Sequence, residues 1–127
     1  MITRRTALGC LATTLALPKL AFAQSLDRSG TFEGKSRHIT TGTATLVVRD
    51  GMAEVQLGDD FTFDGAPDPK VALGRDGYDP ATLMGKLSSD TGPSSYAVPA
   101  SIDASQYNEV WIWCERFNVP LGLAKLN

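Results

Sequence analysis

Val110-Trp111-Ile112-Trp113-Cys114-Glu115-Arg116-Phe117 is a run of β-branched and aromatic residues, and such runs form strands. It holds both tryptophans of the chain and one of its two cysteines. Alternation along a strand puts Val110, Ile112 and Cys114 on one face and Trp111, Trp113 and Glu115 on the other. Both faces are largely apolar, which predicts either a central strand covered on both sides or one whose second face lines a groove. A lone thiol beside two indoles is where chemistry is expected.

The sequence around this run keeps the same period. Residues 41–49 alternate, with Ala44, Leu46 and Val48 on one side and Thr43, Thr45 and Val47 on the other, and Asp50-Gly51 then turns the chain into a return strand over 52–57. A short strand bounded by Gly30 and Gly34 precedes this hairpin, with residues 38–40 as its continuation or a turn. Phe61 and Phe63 are expected in the core at a strand end, within an acidic loop over 58–69. That loop has four carboxylates, yet their spacing matches no twelve-residue calcium loop, so no metal is assigned. Further short strands are expected over 70–74, 95–99 and 119–126, with 83–87 as a strand or irregular edge and one helical turn capped by Asp103. Short strands separated by turn residues, with no long helical period, predict an all-β fold: a β-sandwich or flattened barrel of seven to eight mostly antiparallel strands.

The first 23 residues read differently. Arg4-Arg5 stands just ahead of an apolar stretch over 8–17, and Ala21-Phe22-Ala23 supplies small residues at a cleavage site before Gln24. This pattern is a twin-arginine signal peptide, which predicts export to the periplasm. The apolar stretch is about half the roughly 20 residues a bilayer span requires, so an anchor is disfavoured and no membrane span is expected after cleavage. Leu8-Gly9-Cys10 resembles a lipoprotein box, but a cut there would leave no apolar core in the signal; Cys10 is read as a passive member of the leader. One domain over residues 24–127 remains. It keeps nine basic and 14 acidic residues, a net charge of −5, and that balance argues against nucleic acid or an anionic membrane as partner.

Loss of Cys10 leaves Cys114 without a partner in an oxidising compartment, where cysteines are usually paired or absent. One reading is a buried thiol packed as a small hydrophobe; the other is a redox group. Cys-x-x-Cys-His is absent, so covalent c-type haem is disfavoured. Blue copper needs two histidines beside its cysteine, and the chain has only His38. A single thiol excludes a dithiol oxidoreductase, and a hydrolase finds no serine elbow, assembled triad or zinc spacing.

The order of several motifs resembles the DM-thirteen domain. These are Gly30-Thr31-Phe32; His38 with Thr41-Gly42-Thr43-Ala44; Phe61-Thr62-Phe63-Asp64-Gly65-Ala66-Pro67-Asp68; Gly85-Lys86-Leu87; Gly92 with Tyr96-Ala97-Val98-Pro99; and the tryptophan run with Phe117 and Leu121-Gly122-Leu123-Ala124. In that family the domain occurs singly in exported bacterial proteins and beside haem-binding DOMON domains in animal surface proteins. The resemblance implies electron transfer centred on a cysteine that matches Cys114, either as a bare thiol or as ligand to a prosthetic group such as haem.

Within this sequence, Arg116 is expected on the Cys114 face, where it would stabilise a thiolate. His38 or Met84 would be the second axial ligand of a haem held by Cys114, and Trp111 and Trp113 are either core or the wall of a planar cofactor site. The expected partner is a redox protein or a small redox ligand. The competing reading is a cofactor-free β-sandwich that binds an envelope component or a protein, with Cys114 buried. A single free thiol also permits an intermolecular disulfide.

Overall fold

The computed structural model describes residues 25–127; the leader and its cleavage site lie outside the described residues. Nine strands follow in order: β1 (Ser25–Gly34), β2 (Thr40–Thr41), β3 (Thr43–Arg49), β4 (Met52–Leu57), β5 (Thr62–Phe63), β6 (Pro69–Gly74), β7 (Ser94–Ala97), β8 (Glu109–Cys114) and β9 (Val119–Lys125). Two single 3-10 turns, Pro80–Thr82 and Ala104–Gln106, are capped by the side chains of Asp79 and Asp103. No helix among the described residues is long and apolar enough to cross a membrane.

Seven strands form one antiparallel sheet in the order β6-β8-β9-β1-β3-β4-β7, nearly closed into a barrel, and β2 pairs with β5 beside it. The long β1 does the curling. Its first part pairs with β3, from Ser25 opposite Arg49 to Thr31 opposite Thr43, and its last three residues pair with β9. Residues 84–88 bridge the two sheet edges. Met84 and Leu87 donate their backbone N–H groups to Val71 and Pro69 of β6, and the next residue, Ser88, donates to the phenol oxygen of Tyr96 on β7. This is the irregular edge expected over 83–87.

The β3-β4 hairpin follows its sequence closely. Asp50 and Gly51 both have positive φ (51° and 77°), the geometry of a two-residue turn whose twist matches that of the strands. Ala44, Leu46, Val55 and Leu57 then enter the core with Phe32, Phe61, Phe63, Val71, Leu73, Val110, Ile112, Cys114 and Leu121. Burial of this apolar set is the main favourable contribution to folding.

The tryptophan run is shorter than its composition suggests. β8 ends at Cys114, which pairs with Val119, and residues 115–118 form the turn into β9 with Asn118 at φ 54°. Arg116 is therefore not on the strand face of Cys114. It is exposed in the turn, with its guanidinium over the ring of Phe117.

Candidate functional site

The two faces of β8 carry different chemistry. Val110, Ile112 and Cys114 all point into the core, and Cys114 is only 1% exposed. Its Sγ–H donates to the carbonyl oxygen of Pro67 at 3.0 Å, so the thiol is covered by the segment 64–68. That segment is tied down on both sides of the contact. Asp64 accepts the ring Nδ1–H of His38 at 2.8 Å and the backbone N–H of Ile39 at 3.0 Å. A carboxylate only accepts, so the shared proton sits on Nδ1 of His38. Asp68 adopts positive φ (58°), accepts the backbone N–H of Arg116 at 2.9 Å and lies 3.2 Å from Nζ of Lys70. Its carbonyl takes the backbone N–H of Glu115.

These contacts favour both carboxylates in the charged form. The hydrogen bond from His38, with that from the Ile39 N–H, holds Asp64 below the usual aspartate range. For Asp68, partial burial pushes upward but is outweighed by Lys70 and the Arg116 N–H, and the group ends below its ordinary value. Lys70 sits between Asp68 and Glu115, and the hydrogen bond to Glu115 is the main reason its ammonium is held above the ordinary lysine range.

On the outer face of β8, Trp111 and Trp113 meet edge to face, with ring centroids 5.6 Å apart. Tyr78, from the loop after β6, stacks on Trp113 at 3.9 Å with the planes 17° apart. Gly74 makes the close packing of this layer feasible: a Cβ there would collide with Trp111 Nε1 and the Gly77 carbonyl. Ala72 and Leu123, the cross-strand neighbours of Trp111, are buried on this same face. Both indole N–H groups are satisfied. Trp111 donates to Oε1 of Glu109 at 3.0 Å, and Trp113 donates to Oδ1 of Asn118 at 3.1 Å. Glu109 is buried and also takes the Gly77 N–H at 2.9 Å through the same oxygen. Burial, with Glu115 and Asp79 adding to it, raises the Tyr78 phenol above its ordinary range.

The residues considered together in the sequence are thus divided. Cys114 faces the core, and Trp111 and Trp113 face away from it on the same strand, so one cofactor cannot touch all three. His38 is joined to the thiol only through the covering segment, by way of Asp64, and its ring lies against Phe63 at 5.6 Å. Met84 is partly buried against the core. A haem ligated by Cys114 does not fit these residues, because the sulfur is enclosed by packed side chains and its proton is held by the Pro67 carbonyl. Among the described residues, two cavities of about 200 and 230 Å³ open beside the β3-β4 turn and are lined by Val48, Met52, Ala53, Ala97 and neighbours. Neither is lined by Cys114, His38 or a tryptophan.

Five of the shaping residues were not singled out as site residues from sequence. Asp64, Pro67 and Asp68 lie inside the Phe61–Asp68 motif, but only the fold lays that loop across the end of β8. Glu109 had a readable signal, since it stands two residues before Trp111 and so shares its face. Tyr78 had none, because it reaches Trp113 from a loop that sequence spacing does not place.

The family model described as electron transfer DM13 matches residues 31–126, from β1 to the end of β9. No curated protein and no solved structure gives a significant match. The matched region takes in the thiol, its covering segment and the aromatic face, and the chain belongs to the electron transfer DM13 family.

Proposed function

We propose that this chain is an exported electron-transfer module in which the bare Cys114 thiol is the redox group and the segment 64–68 controls access to it. The observation that carries the reading is the placement of Cys114 Sγ directly beneath the Pro67 carbonyl, in a segment fastened through Asp64 and Asp68. The fastening is made mostly of surface polar contacts, with Ala66 the one side chain packed against the core, and such segments open at lower free energy than a core does. Opening frees the sulfur. The thiol then loses its proton to solvent, and the thiolate attacks one sulfur of a partner's disulfide. A mixed disulfide forms, and the partner's second sulfur leaves as a thiolate. Export rests on the Arg4-Arg5 leader, and replacing both arginines by lysine is expected to hold the protein in the cytoplasm.

The near-complete burial of Cys114 favours a second reading, in which the cysteine is structural and the domain binds an envelope component or protein. Thiol titration with dithiodipyridine separates the two. Under the redox reading, native protein reacts fully and faster than it unfolds, and Asp68→Asn accelerates the reaction severalfold. Reaction only at the rate of global unfolding, unchanged in Asp68→Asn, would sink the redox reading and leave the binding module.

A further inference from the structure

We propose that the outer face of β8 is a second redox site, independent of Cys114, in which Trp111 is oxidised by one electron while Glu109 takes its proton. Electrons leave this site through Trp113 and Tyr78. The assignment rests on how the two indoles are partnered. Removing an electron from an indole makes its N–H strongly acidic, so the fate of the oxidised ring depends on what accepts that proton. Trp113 faces the amide oxygen of Asn118, a hydrogen-bond acceptor but a negligible base. Trp111 faces a carboxylate oxygen at 3.0 Å, within the distance over which a positioned base takes up a proton.

Burial reinforces the difference. Trp111 and Glu109 are 9% and 6% exposed, so little water competes for the indole proton. The Gly77 N–H fixes the receiving oxygen from a second direction. Trp113 is less buried and is covered by Tyr78, and the three rings form a contiguous path from the surface to Trp111 with centroid separations of 3.9 and 5.6 Å.

An external, high-potential one-electron acceptor, such as an oxidised metal complex, removes one electron from the Tyr78 and Trp113 stack. Trp111 refills that vacancy, and its Nε1 proton crosses to Oε1 of Glu109. The product is a neutral tryptophanyl radical beside a protonated Glu109. Re-reduction returns the electron to Trp111 and the proton to its nitrogen.

The test is photo-oxidation of the intact domain by tris(bipyridine)ruthenium with a cobalt(III) acceptor, read by transient absorption and electron paramagnetic resonance. Neutral and cationic tryptophanyl radicals have distinct visible bands. The expected result is a neutral radical in the native protein that is lost in Trp111→Phe and forms more slowly in Trp113→Phe. Glu109→Gln keeps an acceptor oxygen for both N–H donors but cannot hold the proton, and is expected to give the cation instead. Near-ultraviolet circular dichroism checks that each variant keeps its aromatic packing. A neutral radical that survives in Trp111→Phe, or a Glu109→Gln spectrum equal to that of the native protein, would overturn the proposal. Cys114→Ser separates this site from the thiol: an unchanged radical supports the proposal whatever the titration of Cys114 gives, and its loss would move the oxidised site to the sulfur and refute it.

Discussion

The inner and outer faces of β8 differ in what surrounds them, although their residues alternate along one six-residue strand. The inner face is continuous with a close-packed apolar core, and its one polar atom, the Cys114 sulfur, is satisfied by a single carbonyl. The outer face is a thin aromatic layer whose polar tips are met by Glu109 and Asn118 and whose cover, Tyr78, comes from a loop. The inner face is therefore governed by packing volume and the outer face by orientation. A strand can keep a thiol out of solvent and still present an organised aromatic surface one residue away.

The largest effect is expected where packing rules. Ile112 is fully buried, and Ile112→Ala should lower unfolding free energy in denaturant by about 3 kcal/mol, in the range for large-to-small core changes. A loss under about 1 kcal/mol would mean that the inner face is not the tightly packed one.

Gly74→Ala attacks the outer face from below. The added methyl has no room beside the Trp111 ring and the Gly77 carbonyl, so a cost of about 2 kcal/mol and a changed near-ultraviolet circular dichroism spectrum are expected. An unchanged spectrum would show that Trp111 does not rest on Gly74.

A double-mutant cycle with Tyr78→Ala and Trp113→Ala measures the stack itself, with an expected coupling of about 1 kcal/mol. Additive losses would reduce Tyr78 to an incidental neighbour. Cys114→Ser should cost roughly 1 kcal/mol or less, since the hydroxyl can still donate to Pro67 while losing some apolar contact. A greater cost than for Ile112→Ala would reverse the comparison between thiol and core.

The smallest effect is that of acid. Asp64 and Asp68 sit below the usual aspartate range in the folded protein, so their contribution is fully present above the unfolded value near 4 and is lost as pH falls through the folded values. Stability in urea should therefore decline from about pH 4 downward. The decline should be shallower in the Asp64→Asn, Asp68→Asn double variant, and equal slopes would mean that these two carboxylates do not fasten the covering segment.

Much of this was legible along the chain. The alternation of residues 110–114 and 43–49, the Asp50-Gly51 turn, the capped turn after Asp103 and the core positions of Phe61 and Phe63 are local consequences of strand period and turn chemistry. The placement of Arg116 misled because alternation was carried past Cys114, where Asn118 takes the left-handed conformation and the chain reverses. Nothing local announced that reversal.

Sequence by itself thus determined the all-β class, which residues of β8 share a face, and the presence of one thiol beside two indoles, because strand period and side-chain polarity act over a few residues. Only the tertiary structure decided what each face meets. It took contacts between residues 47 positions apart to put Pro67 over the sulfur, and 35 apart to put Tyr78 on Trp113. Such pairings depend on how β1 curls the sheet and where its edges come together, and neither is written in the spacing of any single strand.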